Sequence, residues 1–371
     1  MRVLICPDKF AGTLSALEAA TAVAEGWREV APDDEVAVRP LSDGGPGFLD
    51  SLALPRARRV PVTTIDPLGR PAAGDVLVAG ETAYVESAQA CGLHLLAASE
   101  RDPKITTSYG LGLLIIAAVE SGAREIVIGL GGSATNDAGA GMLAALDAAA
   151  LDAAGYALPY GGAALAACAR LGGGPRLRGA RLVAATDVDN PLIGLHGASS
   201  VYGPQKGATR EDVLLLDAAL TRFAEVLERD LPGCPAGLAA APGGGAAGGL
   251  GAAILALGGR CESGIELVRR LSGLDDALDA ADVVITGEGS FDHQSLRGKV
   301  VAGVAEAARD RALPCVVLAG RISAGRREAA RIGVTTGYSL EEHFGSVEEA
   351  MSRPAEGLRA LGARVARQWS R

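Results

Sequence analysis

Four short turns each present a carboxylate directly after an apolar run: Pro7-Asp8-Lys9, Ser42-Asp43-Gly44-Gly45, Asp187-Val188-Asp189-Asn190 and Gly287-Glu288-Gly289. A rigid strand ending in such a turn aims its carboxylate into a cleft, the usual placement of magnesium ligands and general bases. Asp and Gly are also ordinary turn residues, so no single turn decides the matter. A fifth segment, residues 126–143, reads as a buried strand that empties into a glycine loop and then a helix. Gly131 and Gly132 let the backbone come close to a ligand, the helix start offers unpaired N–H groups, and Ser133, Thr135, Asn136 and Asp137 add polar groups at the same point. A phosphate or a carboxylate fits such a loop, and so does a turn whose glycines serve packing alone. It is neither a Walker A loop nor the spaced dinucleotide fingerprint, because no Gly-Lys-Ser/Thr follows and the glycine spacing differs.

Two lysines sit in tight backbone settings, Lys206 within Gly203-Pro204-Gln205-Lys206-Gly207 and Lys299 within Arg297-Gly298-Lys299. A lysine held this way contacts phosphate as a point charge. The glycine-rich stretch 242–251 exposes backbone but has no polar side chains, which suits either backbone-only binding or a hinge or lid. Other chemistries find less support. Aromatic residues make up only 4% of the chain, too few for a base-stacking platform. No Ser-His-Asp order or Gly-x-Ser-x-Gly elbow indicates a hydrolase, and His94, His196, His293 and His343 lack metal-ligand spacing. The six cysteines form no C-x-x-C pair and read as reduced packing residues.

The elements that must position these groups follow from periodicity. Residues 3–6 form a strand, and Ser15 with Glu18 three residues on makes a capping box for a helix over 15–30, with Ala16, Ala20, Val23, Trp27 and Val30 on its apolar face. A strand at 36–38 and a glycine turn leading into a short helix complete the start of a parallel sheet. From residue 58 the pattern changes to short strands at 60–64, 75–78 and 82–86, with Gly80-Glu81 as a two-residue hairpin turn, an antiparallel insertion and not a further βαβ step. A helix over 108–120 precedes the glycine loop, an alanine-rich region covers 144–168, and a strand at 182–185 delivers the Asp187 turn. A strand from 281 into Gly289, a helix over 299–311 and a strand at 315–319 restore the parallel pattern. The expected fold is a two-domain α/β protein. Residues 1–57 plus 265–371 form a discontinuous Rossmann-like domain with a parallel sheet, and 58–264 an inserted mixed α/β domain.

With 371 residues, 49% apolar and 21% charged, the chain is an ordinary globular protein. Its net charge of −9 disfavours nucleic-acid or anionic-membrane partners, which demand a basic face. There is no export signal at the start and no apolar run of the roughly 18 residues a bilayer requires, so a cytoplasmic location is expected.

The ordered set Pro7-Asp8-Lys9-Phe10 with Gly12, Ser42-Asp43-Gly44-Gly45, residues 129–137, Asp187 to Pro191, Gly203 to Gly207, residues 246–251 and Ile285 to Gly289 resembles the bacterial glycerate kinases of the first type over almost the whole chain. The resemblance implies ATP-dependent phosphorylation of D-glycerate to 2-phosphoglycerate with Mg2+, at an active site in the cleft between two α/β domains. It departs from the family pattern at Ala11, where Lys is common, and at Pro46, where Glu is common. On this reading the loop from Gly131 to Asp137, with Asp8, Lys9, Asn190 and Gln205, binds phosphate or the glycerate carboxylate. Lys206 and Lys299 neutralise charge, and Asp43 and Glu288 hold magnesium or its waters. Asp189 is the base beside the acceptor hydroxyl, with Asp187 second. Two other readings share the residues: a kinase of another small hydroxy acid and a non-catalytic metabolite sensor. The carboxylate density speaks against the sensor, since an anion site gains nothing from nearby negative charge.

Overall fold

A computed structural model describes residues 1–54, 56–296 and 299–370; Arg297 and Gly298 of the second lysine turn lie outside them. Its strands, in chain order, are β1 (Arg2–Ile5), β2 (Glu35–Val38), β3 (Arg58–Ile65), β4 (Pro71–Ala79), β5 (Thr82–Glu86), β6 (Glu125–Gly129), β7 (Ala148–Leu151), β8 (Arg170–Gly173), β9 (Arg181–Ala185), β10 (Arg260–Glu262), β11 (Val283–Phe291), β12 (Cys315–Ile322) and β13 (Thr336–Ser339). The chain divides into two compact units, the first made of 1–43, 50–53 and 264–371 and the second of 44–49 and 54–263.

The first unit is built on a parallel sheet ordered β13-β12-β11-β1-β2. Counted within the unit this is the 2-1-3-4-5 order of a doubly wound sheet, whose strand order reverses between β1 and β11. The sheet is apolar on both faces, as parallel sheets must be: Val3, Leu4, Ile5, Val283, Val284, Ile285, Val316 and Val317 are all buried. The helix Ala16–Val30 carries the expected capping box. Glu18 N–H donates to Ser15 Oγ at 3.2 Å and Ser15 N–H to Glu18 Oε2 at 2.8 Å, an arrangement worth about 1 kcal/mol. Its buried face carries Trp27, whose indole N–H donates to Asp34 Oδ2 at 3.0 Å. The helix crosses Pro354–Trp369 at very close range: a Cβ on Gly26 would lie 1.8 Å from the Arg359 carbonyl oxygen, and one on Gly362 2.4 Å from that of Val23.

The second unit holds a six-stranded mixed sheet ordered β10-β9-β6-β5-β4-β3. β3, β4 and β5 pair antiparallel, with Ala79 opposite Thr82, so Gly80-Glu81 is the two-residue turn that the sequence indicates, and Gly80 takes φ +62° there. The meander does not stay a separate insertion. β5 also pairs parallel with β6 through the crossover helix Tyr109–Glu120, which is a βαβ step, and β6, β9 and β10 continue in parallel. The alanine-rich region contributes β7, which pairs with β8 in a two-stranded ribbon. Residues 243–251 are not an exposed hinge. They begin the helix Ala246–Ala256 with positive φ at Ala247, Gly248 and Gly249, and a Cβ on Gly248 would lie 1.9 Å from the Thr135 carbonyl oxygen, so this glycine is required by packing. No helix among the described residues is long and apolar enough to cross a membrane.

Candidate active site

In open α/β sheets ligands collect beyond the carboxyl ends of the strands, at the point where strand order reverses. A cavity of about 440 Å³ lies at that place in the first unit. It is lined by Asp8 and Lys9 after β1, Asp43 after β2, Glu288 on β11, Arg321 on β12, and Lys299 just before the helix Val300–Arg309. The sheet itself fixes these positions: Asp8 N–H donates to the Gly287 carbonyl at 2.8 Å, and Thr286 Oγ1 to that of Cys6 at 2.9 Å. Lys9 Nζ lies between two carboxylates, 3.5 Å from Asp8 Oδ1 and 3.3 Å from Asp43 Oδ1. Burial opposes the Lys9 charge, but Asp8 and Asp43 outweigh it and hold the ammonium above its usual pKa. Asp8, 6% exposed, is raised to about 6 by burial, with Asp43 pushing the same way and Lys9 resisting. Glu288 is raised to about 7, again mainly by burial. Its hydrogen bond to Ser295 and the charge of Lys299 work against the rise, and Asp8 and Asp292 add to it. Its Oε1 is fully buried and has no hydrogen-bond partner among the described residues. Such an atom costs stability unless something supplies a donor or a cation.

The remaining predicted residues lie in the second unit: the loop 131–137 after β6, Asp187 to Asn190 after β9, and Gln205 and Lys206 in the short turn that follows the helix Ala198–Tyr202. The loop after β6 is stitched in place from several sides. Leu93 N–H donates to the Gly132 carbonyl at 2.8 Å, Ala134 N–H to that of Cys91 at 2.7 Å, and Thr106 Oγ1 to that of Ala134 at 3.0 Å. Gly131 permits a close approach, since a Cβ there would lie 2.6 Å from Gly45 Cα. Pro46 packs on the same loop, within 3.0 Å of where a Gly132 Cβ would stand.

Several of these residues turn out to be occupied with one another. Asp137 is buried and accepts from Ser108 N–H (2.9 Å), Ser108 Oγ (2.8 Å), Gly139 N–H (3.1 Å) and Gly141 N–H (3.2 Å). It thus takes the N–H groups at the start of the six-residue helix Ala140–Ala145, which were expected to face a bound anion. That helix start is satisfied by the chain's own carboxylate. Lys206, expected to neutralise a ligand's charge, is 1% exposed, and its Nζ donates to Ser133 Oγ at 2.9 Å and the Thr135 carbonyl at 2.7 Å. Burial pushes its pKa down to about 7, against the pull of Asp137 and Cys91. Its hydrogen bonds hold the loop from within. Asn190 is likewise engaged at both ends, donating to the His196 carbonyl at 2.7 Å and accepting from Tyr202 Oη at 2.8 Å. Asn136 Nδ2 donates to Ser199 Oγ at 2.9 Å. Asp187 accepts from Ser263 Oγ at 2.7 Å and is half-buried, whereas Asp189 and Gln205 are exposed. All six cysteines are free thiols.

One group escaped the sequence reading. Arg101 lies in a loop without a glycine neighbour or motif to mark it, yet its Nε is buried without a hydrogen-bond partner among the described residues.

A model of the glycerate kinase family matches residues 3–370. The chain belongs to this family. It is 41% identical to the glycerate 2-kinase of Escherichia coli strain K12 over 358 residues, 94% of this chain and 93% of that protein. It is 40% identical to the glycerate kinase of Halalkalibacterium halodurans over 359 residues, 95% and 93% of the two chains. A crystal structure of a protein assigned as glycerate kinase 2 from Salmonella typhimurium LT2 superposes with a TM-score of 0.78 at 40% identity, covering 99% of this chain and 98% of that one. A glycerate kinase family member is an enzyme with small-molecule substrates, and the kinase chemistry implies ATP as phosphoryl donor.

Proposed function

We propose that this chain transfers the γ-phosphoryl group of ATP to the C2 hydroxyl of D-glycerate, giving 2-phosphoglycerate and ADP, with magnesium. The 2-position is supported by the name of the Escherichia coli relative. The reaction breaks the bond from the γ-phosphorus to the β–γ bridging oxygen, forms a bond to the glycerate oxygen, and passes the hydroxyl proton to a base. Such transfer asks the protein for alignment and charge compensation more than for covalent help.

The carrying observation is the buried, unpartnered Glu288 Oε1 in a cavity that also holds Asp8, Asp43, Lys9 and Lys299. Among the described residues no three His, Cys, Asp or Glu side chains group closely enough to cage a metal by themselves. Magnesium is a hard cation commonly held by one or two carboxylates, with water and substrate phosphates completing its shell. Asp43 and Glu288 would hold it, and when bound it supplies neutralisation of the phosphate charge. Lys9 and Lys299 add fixed positive charge on the same cavity. In the second unit, the loop 131–136 presents backbone and Ser133 to the acceptor. Asp189, the exposed carboxylate after β9, takes the hydroxyl proton, with Asp187 as the second choice. Coupled detection of ADP across D-glycerate, L-glycerate and other small hydroxy acids tests the reading. D-glycerate is expected to be turned over best, and a clear preference for a different acid would replace it.

A further inference from the structure

Arg101 is half-buried, and among the described residues it has no counter-charge. The neighbouring acids are committed elsewhere: Asp102 lies 3.5 Å and Asp212 2.8 Å from Lys104 Nζ. Arg101 enters no ion pair among the described residues, and its Nε is closed off from solvent with no acceptor. A lysine in that predicament can shed its proton, as the lowered pKa of Lys206 illustrates. A guanidinium cannot, so an acceptor for its enclosed Nε–H has to come from outside the fold.

The surroundings say what that partner is. Arg101 packs against the turn that follows Lys206: a Cβ on Gly207 would lie 2.1 Å from the Arg101 carbonyl oxygen and 3.2 Å from its Cβ. Lys206 in turn holds Ser133 and Thr135, and Thr106, five residues after Arg101, donates to the Ala134 carbonyl. The other unpartnered buried polar atoms of the second unit, Thr135 Oγ1 and Asn136 Oδ1, belong to this same loop. Asn136 Oδ1 is an acceptor that lacks a donor. Phosphate oxygens offer acceptors only, whereas a hydroxy acid brings a carboxylate for a guanidinium and hydroxyl protons for an amide oxygen.

We infer that Arg101 is a specificity-determining residue that receives the carboxylate of the acceptor acid, so that the loop 133–136 with Arg101 forms the acid subsite and not a nucleotide phosphate subsite. The inference rests on the kinase reading above. Steady-state kinetics of the full chain and of its Arg101→Met and Arg101→Lys variants test it, with D-glycerate and its neutral amide as acceptors. Arg101→Met is expected to raise KM for D-glycerate by about 10- to 100-fold while KM for ATP stays within about threefold, because a charge-assisted pair is lost from one substrate only. Turnover of the amide should be nearly unchanged, so that discrimination between acid and amide collapses. Arg101→Lys, which keeps the charge and loses the fork, should fall between and covers the case in which the methionine variant does not fold. An unchanged KM for D-glycerate in both variants, or a rise in KM for ATP instead, overturns the assignment. Absence of D-glycerate turnover by the unsubstituted chain in the same assay would count against the function proposal itself.

Discussion

The two units differ in how they commit their polar side chains. In the first, a sparse set of turns leaves groups available at the switch point of the sheet: Glu288 has an unpartnered oxygen, and Lys9 is shared between two carboxylates in an open cavity. In the second, the segment densest in glycine and polar residues spends its charged groups internally, with Asp137 capping the helix Ala140–Ala145 and Lys206 pinning Ser133 and Thr135, and leaves only the neutral Thr135 Oγ1 and Asn136 Oδ1 unpartnered. A loop crowded with polar residues therefore shows first that the backbone needs holding in an unusual path. Availability to a ligand is a separate property, visible only in which atoms remain unpartnered.

The largest expected effect comes from removing charge at the first unit's cavity. Glu288→Gln should lower kcat/KM by about 100-fold or more and raise the magnesium concentration needed for half-maximal rate, as measured by magnesium titration of the steady-state rate. A variant with the wild-type magnesium profile would remove Glu288 from the metal and undo the contrast between the units. A smaller effect is expected in the second unit. Lys206→Met should fold, because an apolar chain of similar volume replaces a buried charge, yet lose about 10- to 100-fold in kcat/KM as the loop is freed. If the lysine acts through the loop, combining this change with Ser133→Ala gives less than the product of the two single losses. Fully multiplicative losses would point to direct contact with a substrate.

The smallest effect is on stability against pH in the ligand-free protein, where the two units should oppose each other. Asp8 and Glu288 have folded pKa values raised from 3.8 to about 6 and from 4.5 to about 7. The folded state then binds protons more tightly than the unfolded chain, so their contribution is full in acid and is lost as pH rises through about 6 and 7. Lys206 is lowered from 10.5 to about 7, so the unfolded chain binds its proton more tightly and stability is regained as pH climbs from about 7 towards 10.5. Melting curves should show Glu288→Gln flattening the slope below neutrality and Lys206→Met flattening the slope above it. Equal slopes in wild type and variants would show that these groups are not buried as described.

Much of this was legible in the sequence, because local rules fixed it. The capping box at Ser15, the hairpin turn at Gly80-Glu81 and the apolar strands leading to Asp8 and Glu288 are each set by a few adjacent residues. What escaped depends on contacts distant in sequence. Nothing near residue 206 announces that its ammonium will be enclosed by residues 133 and 135, and nothing near residue 248 that its glycine will meet the backbone of Thr135. Arg101 was invisible for the same reason: an enclosed, unpartnered Nε–H is defined by what does not surround it.

The central claim is that this chain moves a phosphoryl group from ATP to the C2 oxygen of D-glycerate. Phosphorus NMR of the reaction mixture tests it most directly. The expected result is a single new phosphomonoester resonance matching 2-phosphoglycerate, appearing as ADP forms and only with magnesium present. A resonance matching 3-phosphoglycerate, or ADP released with inorganic phosphate alone, would contradict it.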